Sequence, residues 1–113
     1  MIYKILRAAE WEAFRREGVF RGSPVDLKDG FIHFSTAAQA AETARRHFAG
    51  EKDLVLAEVD PARLDEALRA ALRWEPSRGG DLFPHLYAPL PLRAVTRTWP
   101  LPSDAGERLF PRL

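Results

Sequence analysis

Two histidines occur in the same local pattern, each two residues before a hydroxyl-bearing side chain: His33 before Ser35 in DGFIHFSTAAQ, and His85 before Tyr87 in PHLYAPL. Side chains alternate faces in an extended segment, so each pair shares a face. Phe31 joins His33 and Ser35, while Ile32 and Phe34 turn the other way. Imidazole nitrogens and hydroxyls offered from two strands to one cleft can hold sugar hydroxyls or move protons. Directly after Ser35, Thr36 and Gln39 match a capping box, in which each side chain satisfies a backbone donor at a helix start. Free N–H groups at such a terminus suit an anionic or ribose-bearing ligand. The same residues also suit a buried histidine beside an ordinary cap, with Tyr87 stacked in the core and its hydroxyl at the rim. The pattern alone leaves both readings open.

Trp74-Glu75 is a third candidate. A carboxylate beside an aromatic ring at a helix-to-strand turn could stabilise a developing cation or polarise a hydroxyl; an exposed Glu75 paired with Arg73 or Arg78 is the plainer reading. No metal is expected: His33, His47 and His85 lack ligand spacing, and His47 sits beside Arg45 and Arg46 on a solvated helix face. No serine lies on a GxSxG elbow. Gly79 and Gly80 form neither a GxGxxG fingerprint nor a P-loop, so Arg78-Gly79-Gly80 reads first as a surface turn and second as a phosphate clasp.

The elements that must position these residues are legible along the chain. Ile2 to Leu6 alternates as a strand, and Arg7 to Glu17 reads as a helix stopped by Gly18. Val19 to Lys28 reads as an irregular loop leading through an Asp29-Gly30 turn into a central strand, Phe31 to Phe34. Thr36 caps a helix to about Phe48, with Ala40, Ala41, Ala44 and Phe48 inward. Leu54 to Val59 is apolar at nearly every position and predicts a strand in the middle of a sheet. Asp60-Pro61 predicts a helix start, with Leu64, Leu68 and Leu72 on one face, which Arg73-Trp74-Glu75 then leaves. Leu82 to Leu90, broken by Pro84 and Pro89, belongs at a sheet edge or bend, and Val95 to Leu101 is a last strand. Clustered late strands favour an α+β class over a doubly wound sheet.

With 113 residues the chain is one domain, a core over about 2–101 and a tail over 102–113 that ends in Leu109-Phe110. Seventeen basic against 16 acidic residues leave a net charge of +1, which does not indicate nucleic acid or a membrane surface as partner. Cysteine is absent, so disulfides and thiolate metal sites are excluded. The apolar run of MIYKILRAAEW is too short for a signal peptide, and no run reaches the length of a membrane span. The expectation is a cytoplasmic protein; its oligomeric state is left open.

Taken together, IYKIL with the following EW, GSPVDLKDGFIHFSTAAQ, DLVLAEVD, RWEPSRGG and FPHLYAPL resemble the bacterial domain-of-unknown-function family 952, from Ile2 to about Leu101. The resemblance implies a fold similar to the ADP-ribosyltransferases, whose split, bent antiparallel sheet with flanking helices holds NAD in a central cleft. It implies Lys4 at the adenosine ribose, and His33, Ser35 and Thr36 at the nicotinamide ribose. Where that superfamily usually supplies a glutamate to the ribose 2′-hydroxyl, this chain offers His85 and Tyr87, and Ala88 stands where a glycine is common. Relatives without the acid act differently, as RNA 2′-phosphotransferases do, or only bind. Glycosidic cleavage through an oxocarbenium-like state needs an aromatic, ribose hydrogen bonds and a group stabilising positive charge. Tyr87, His33, His85 and Glu75 are the catalytic candidates; Lys4, His33, Ser35, Thr36 and Tyr87 are the candidates for binding NAD, as substrate, or another small nucleotide. Three functions remain: an enzyme acting by ADP-ribosyl transfer, NAD cleavage or phosphate transfer; a noncatalytic nucleotide-binding module; and a partner-binding domain.

Overall fold

The computed structural model describes residues 1–101 and 110–113, apart from the side chain of Arg78. The chain runs through strand β1 (Ile2–Arg7), helix α1 (Ala8–Glu17), strand β2 (Val19–Phe20), helix α2 (Pro24–Asp29), strand β3 (Ile32–His33), helix α3 (Ala37–His47) and strand β4 (Leu54–Val59). A 3₁₀ turn (Pro61–Arg63) leads to helix α4 (Glu66–Ala70), strands β5 (Leu72–Pro76), β6 (Leu82–Leu86) and β7 (Leu90–Pro91), and the last strand β8 (Val95–Leu101). Two antiparallel three-stranded sheets, ordered β1-β4-β8 and β3-β6-β5, and the small pair β2-β7 give a single α+β domain. The two larger sheets meet where Tyr3 and Ser35 exchange backbone hydrogen bonds of 2.8 and 2.9 Å.

β4 is apolar at every position but Glu58 because both faces of its sheet are covered. Leu54 and Leu56 pack with Tyr3, Ile5, Ala40 and Ala44 under α3. Ala57 and Val59 face the opposite way, into a cluster with Ile2, Leu6, Phe14, Ile32 and Leu86. α1 begins after Arg7 and ends at Gly18, whose φ of 76° a side chain would resist. Among the described residues no helix is long and apolar enough to cross a membrane.

Several expectations change. Val19 to Lys28 is not irregular. Pro24 occupies the first turn of α2, and the Asp26 carboxylate takes the Ser23 N–H at 2.8 Å, closing the helix start from its third position. Asp29-Gly30 is therefore the end of that helix, with Gly30 at φ 86° turning the chain into β3. Asp65 caps α4 through the Leu68 N–H, so the expected helix after Asp60 breaks at an extended Leu64 and Leu72 opens a strand. Leu64 is nevertheless buried, with Leu68 and Leu72 packed against the same cluster. Arg73-Trp74-Glu75 is β5, paired along its length with β6.

β6 is the middle strand of its sheet, not an edge, despite Pro84. The Pro84 carbonyl accepts the Phe34 N–H at 3.0 Å, but proline has no N–H to return. That is why β3 extends only over Ile32 and His33; the strand lies at the edge of its sheet rather than at the centre. Ala41 is exposed, because the inward stripe of α3 runs through Ala40 and Ala44. Of the tail, 102–109 lies outside the described residues; Phe110 packs against the cluster beneath α3.

Phe14 is 1% exposed and packs against Trp11 and Phe20, with ring centroids 5.6 and 5.7 Å away. Phe14→Ala is expected to cost about 3–5 kcal/mol. Urea unfolding checks this: the midpoint should fall while the slope stays unchanged.

Candidate functional site

The site begins with a register. β3 and β6 pair Ile32 with Leu86 and His33 with His85, so the two histidines stand directly opposite on one face. Their ring centroids are 5.5 Å apart, edge to face. Phe31 backs both rings, 4.5 Å from His33 and stacked 4.1 Å from His85, and also meets Tyr87 at 5.1 Å. Ile32 and Phe34 turn into the core, as strand alternation requires.

Carboxylates hold each ring. His33 Nδ1 lies 2.6 Å from Asp26 Oδ1 and its Nε2 2.9 Å from Asp29 Oδ2. His85 Nδ1 lies 2.8 Å from Glu75 Oε1, and the Tyr87 hydroxyl donates to the same oxygen at 2.7 Å. The Tyr87 hydrogen bond, followed by that of His85, lowers the Glu75 carboxyl below its ordinary value, and the Glu75 acceptor in turn raises Tyr87. Arg73 covers the Tyr87 ring, its guanidinium 5.1 Å from the centroid.

Asp26 is buried at 1% exposure and collects several donors. Lys4 Nζ reaches its two oxygens at 3.1 and 2.9 Å, and the Ser23 and His33 backbone N–H groups bind at 2.8 and 3.1 Å. Burial pushes the Asp26 carboxyl up, but the His33 contact, the Lys4 charge and the Ser23 N–H outweigh it and hold the group well below the usual carboxylate range. Burial lowers Lys4, against the opposing pull of Asp26.

A pocket of about 450 Å³ opens beside this cluster. His33 and His85 form one wall; Tyr3, Lys4, Ile5 and Arg7 of β1 contribute another. Ser35 and Thr43 add hydroxyls joined at 2.8 Å, and Phe34, Phe48 and Phe83 add apolar surface. Arg7 lies over the Phe48 ring at 5.1 Å and is clasped by Glu51 at 2.8 and 3.0 Å. Asp29 is the one carboxylate among the described residues lining the pocket. Such a mixture of cations, hydroxyls and aromatic faces is chemically suited to a polar, anionic ligand with a flat ring.

The structure thus brings Lys4, His33, Ser35 and His85 to one pocket. Thr36 is absent from its lining; its hydroxyl accepts the Gln39 N–H at 3.2 Å and caps α3. Tyr87, 41% exposed, faces a neighbouring hollow of about 240 Å³. Glu75 stands behind His85, outside the lining. Adjacent side chains of a strand oppose each other, so Trp74 is not the aromatic beside this carboxylate; Tyr87 is. The expected role of Arg78 lies outside the described residues. Sequence reasoning missed Asp26, Asp29 and Arg7. Ser23-Pro24-x-Asp26 carried a helix-start signal that would have placed Asp26.

Asp26→Asn leaves buried Lys4 without its counter-charge and is expected to destabilise by about 3–5 kcal/mol. Because the folded Asp26 carboxyl is depressed, its stabilisation is complete above about pH 4 and is lost as pH falls toward the folded value. Urea unfolding from pH 7 to 2 checks both: the wild type should lose stability in that acid range, and Asp26→Asn should lose less.

Comparison with known proteins agrees with this architecture. The crystal structure of protein CC0527 from Caulobacter crescentus superposes with a TM-score of 0.85 at 51% identity, covering 96% of this chain and 92% of that one. Its solution NMR structure gives 0.78 at 51% identity, covering 95% and 89%. No curated protein matches. The family model described as protein of unknown function (DUF952) matches residues 5–98, and the chain belongs to that family.

Proposed function

We propose that the pocket binds NAD or a related small nucleotide and that the protein processes it, in the manner of an ADP-ribosyltransferase-like fold. The observation that carries this reading is the cross-strand histidine pair: His33 and His85, each fixed by a carboxylate, on the wall of one pocket. A ligand with ribose hydroxyls meets His85 and Ser35, its phosphates lie toward Arg7, and its base packs on Phe48 or Phe83. A volume of about 450 Å³ lies within the range of small-molecule sites. Catalysis would be transfer or cleavage at the ribose, or phosphate transfer. Asp29 is the acid on the ligand's side; Glu75 and Tyr87 act through His85.

A thermal-shift panel of NAD, ADP-ribose and nucleoside phosphates tests the binding. A ligand at one hundred times its Kd stabilises the native state by about 2.7 kcal/mol, a shift of several degrees in Tm. Ser35→Ala should weaken binding roughly fivefold, the value of one neutral hydrogen bond, whereas Arg46→Ala, on the exposed back of α3, should leave it unchanged. Release of nicotinamide from NAD, followed by chromatography, tests turnover. Binding without turnover identifies a noncatalytic nucleotide module, and absence of any nucleotide shift removes the proposal.

A further inference from the structure

His85 differs from its partner across the strands in one respect. Both ring nitrogens of His33 face carboxylate oxygens, at 2.6 and 2.9 Å. His85 is held at Nδ1 alone, 2.8 Å from Glu75. The residue is only 5% exposed and its ring is stacked on Phe31, yet it forms part of the pocket wall, and Nε2 has no hydrogen-bond partner among the described residues. Buried polar atoms are nearly always paired, and one left over in a native structure calls for an explanation, a bound water or ion, strain or a catalytic role; on a pocket wall beside a fixed carboxylate, the catalytic role is the one the geometry favours. A carboxylate only accepts, so Glu75 fixes the proton on Nδ1 and leaves the lone pair on Nε2. Tyr87 donates to that same Glu75 oxygen at 2.7 Å and holds the carboxylate against His85. Glu75 comes from β5 and His85 from the adjacent β6, so two paired strands set the geometry.

We infer that His85 Nε2 is the proton-accepting atom of the pocket, with Glu75 as its positioning residue and Tyr87 as the brace that holds Glu75. The identity of the reactants rests on the proposed function; the proton-accepting device does not. In nicotinamide release, a water or acceptor hydroxyl bonds to the ribose C1′ and gives its proton to Nε2. The C1′–N bond breaks, its electron pair leaves with nicotinamide, and the proton passes from Nε2 to solvent. General-base assistance of this kind requires the unprotonated nitrogen on the side of the nucleophile.

The test uses no nucleotide, so its failure and the failure of the nucleotide reading are separable. Long-range ¹⁵N–¹H spectra of the folded wild-type protein at neutral pH should show His85 as the Nδ1–H tautomer, with an unprotonated Nε2. Diethyl pyrocarbonate acylates unprotonated imidazole nitrogens, so mass spectrometry should find His85 modified faster than His33. Glu75→Gln presents an amide that can donate to Nδ1 and favour the opposite tautomer, the effect known when a carboxylate orienting a catalytic histidine becomes an amide. It should move the proton to Nε2 and slow modification of His85 by at least about tenfold. Tyr87→Phe keeps the carboxylate and should keep the wild-type tautomer. If Glu75→Gln fails to fold, the wild-type spectrum and Tyr87→Phe still decide. A wild-type Nε2–H tautomer, or a His85 that stays unmodified while His33 reacts, overturns the inference.

Discussion

The structure depends on one buried carboxylate. Asp26 sits at the third position of a six-residue helix, closes that helix onto Ser23, accepts Lys4 from β1, and binds both the backbone and the ring of His33. Among the described ion pairs, Lys4–Asp26 is the one with both side chains almost fully buried, at 7% and 1% exposure. A buried pair gains its attraction against a large desolvation cost and is stable only when the remaining hydrogen-bonding capacity is filled. Here it is filled by groups from separate elements. The same atoms that satisfy the charge join β1, α2 and β3, and thereby fix the position of His33.

The pocket follows from how the sheets meet. β1 and the end of β3 exchange one pair of hydrogen bonds at Tyr3 and Ser35, and the strands then diverge. On the other side of β3, the ladder with β6 ends where Pro84 cannot donate. The pocket lies beside this junction and is lined by side chains of both sheets. The proposed function uses that space. Two rings are held at fixed angles by carboxylates at their backs, and one nitrogen is left for a ligand.

Much of this was legible because local chemistry and tertiary structure agree. Thr36-x-x-Gln39 caps α3, Gly18 ends α1, and the apolar run of β4 marks a strand covered on both faces. The two-residue spacing placed His33 with Ser35, and Tyr87 with His85 on one Glu75 oxygen, but Tyr87 follows the end of β6 and lines a different hollow. Misreadings arose where a short element competed with a longer pattern. The leucines at 64, 68 and 72 mimic one helix, yet Asp65 starts a new one and Leu72 turns into strand. α2 is too short for hydrophobic periodicity, so Asp26 read as a loop acid. Glu75 read as a ligand group because its nearest partners, His85 and Tyr87, are about ten residues away on another strand.

The most direct measurement is amide chemical-shift mapping during titration of ¹⁵N-labelled protein with ADP-ribose. Saturable perturbations are expected, centred on His33, Ser35, Thr43 and His85 and spreading to Arg7 and Phe48. Perturbations confined to α4 and the start of β8 around Val95 and Arg97, or a spectrum unchanged at millimolar ligand, would contradict that expectation.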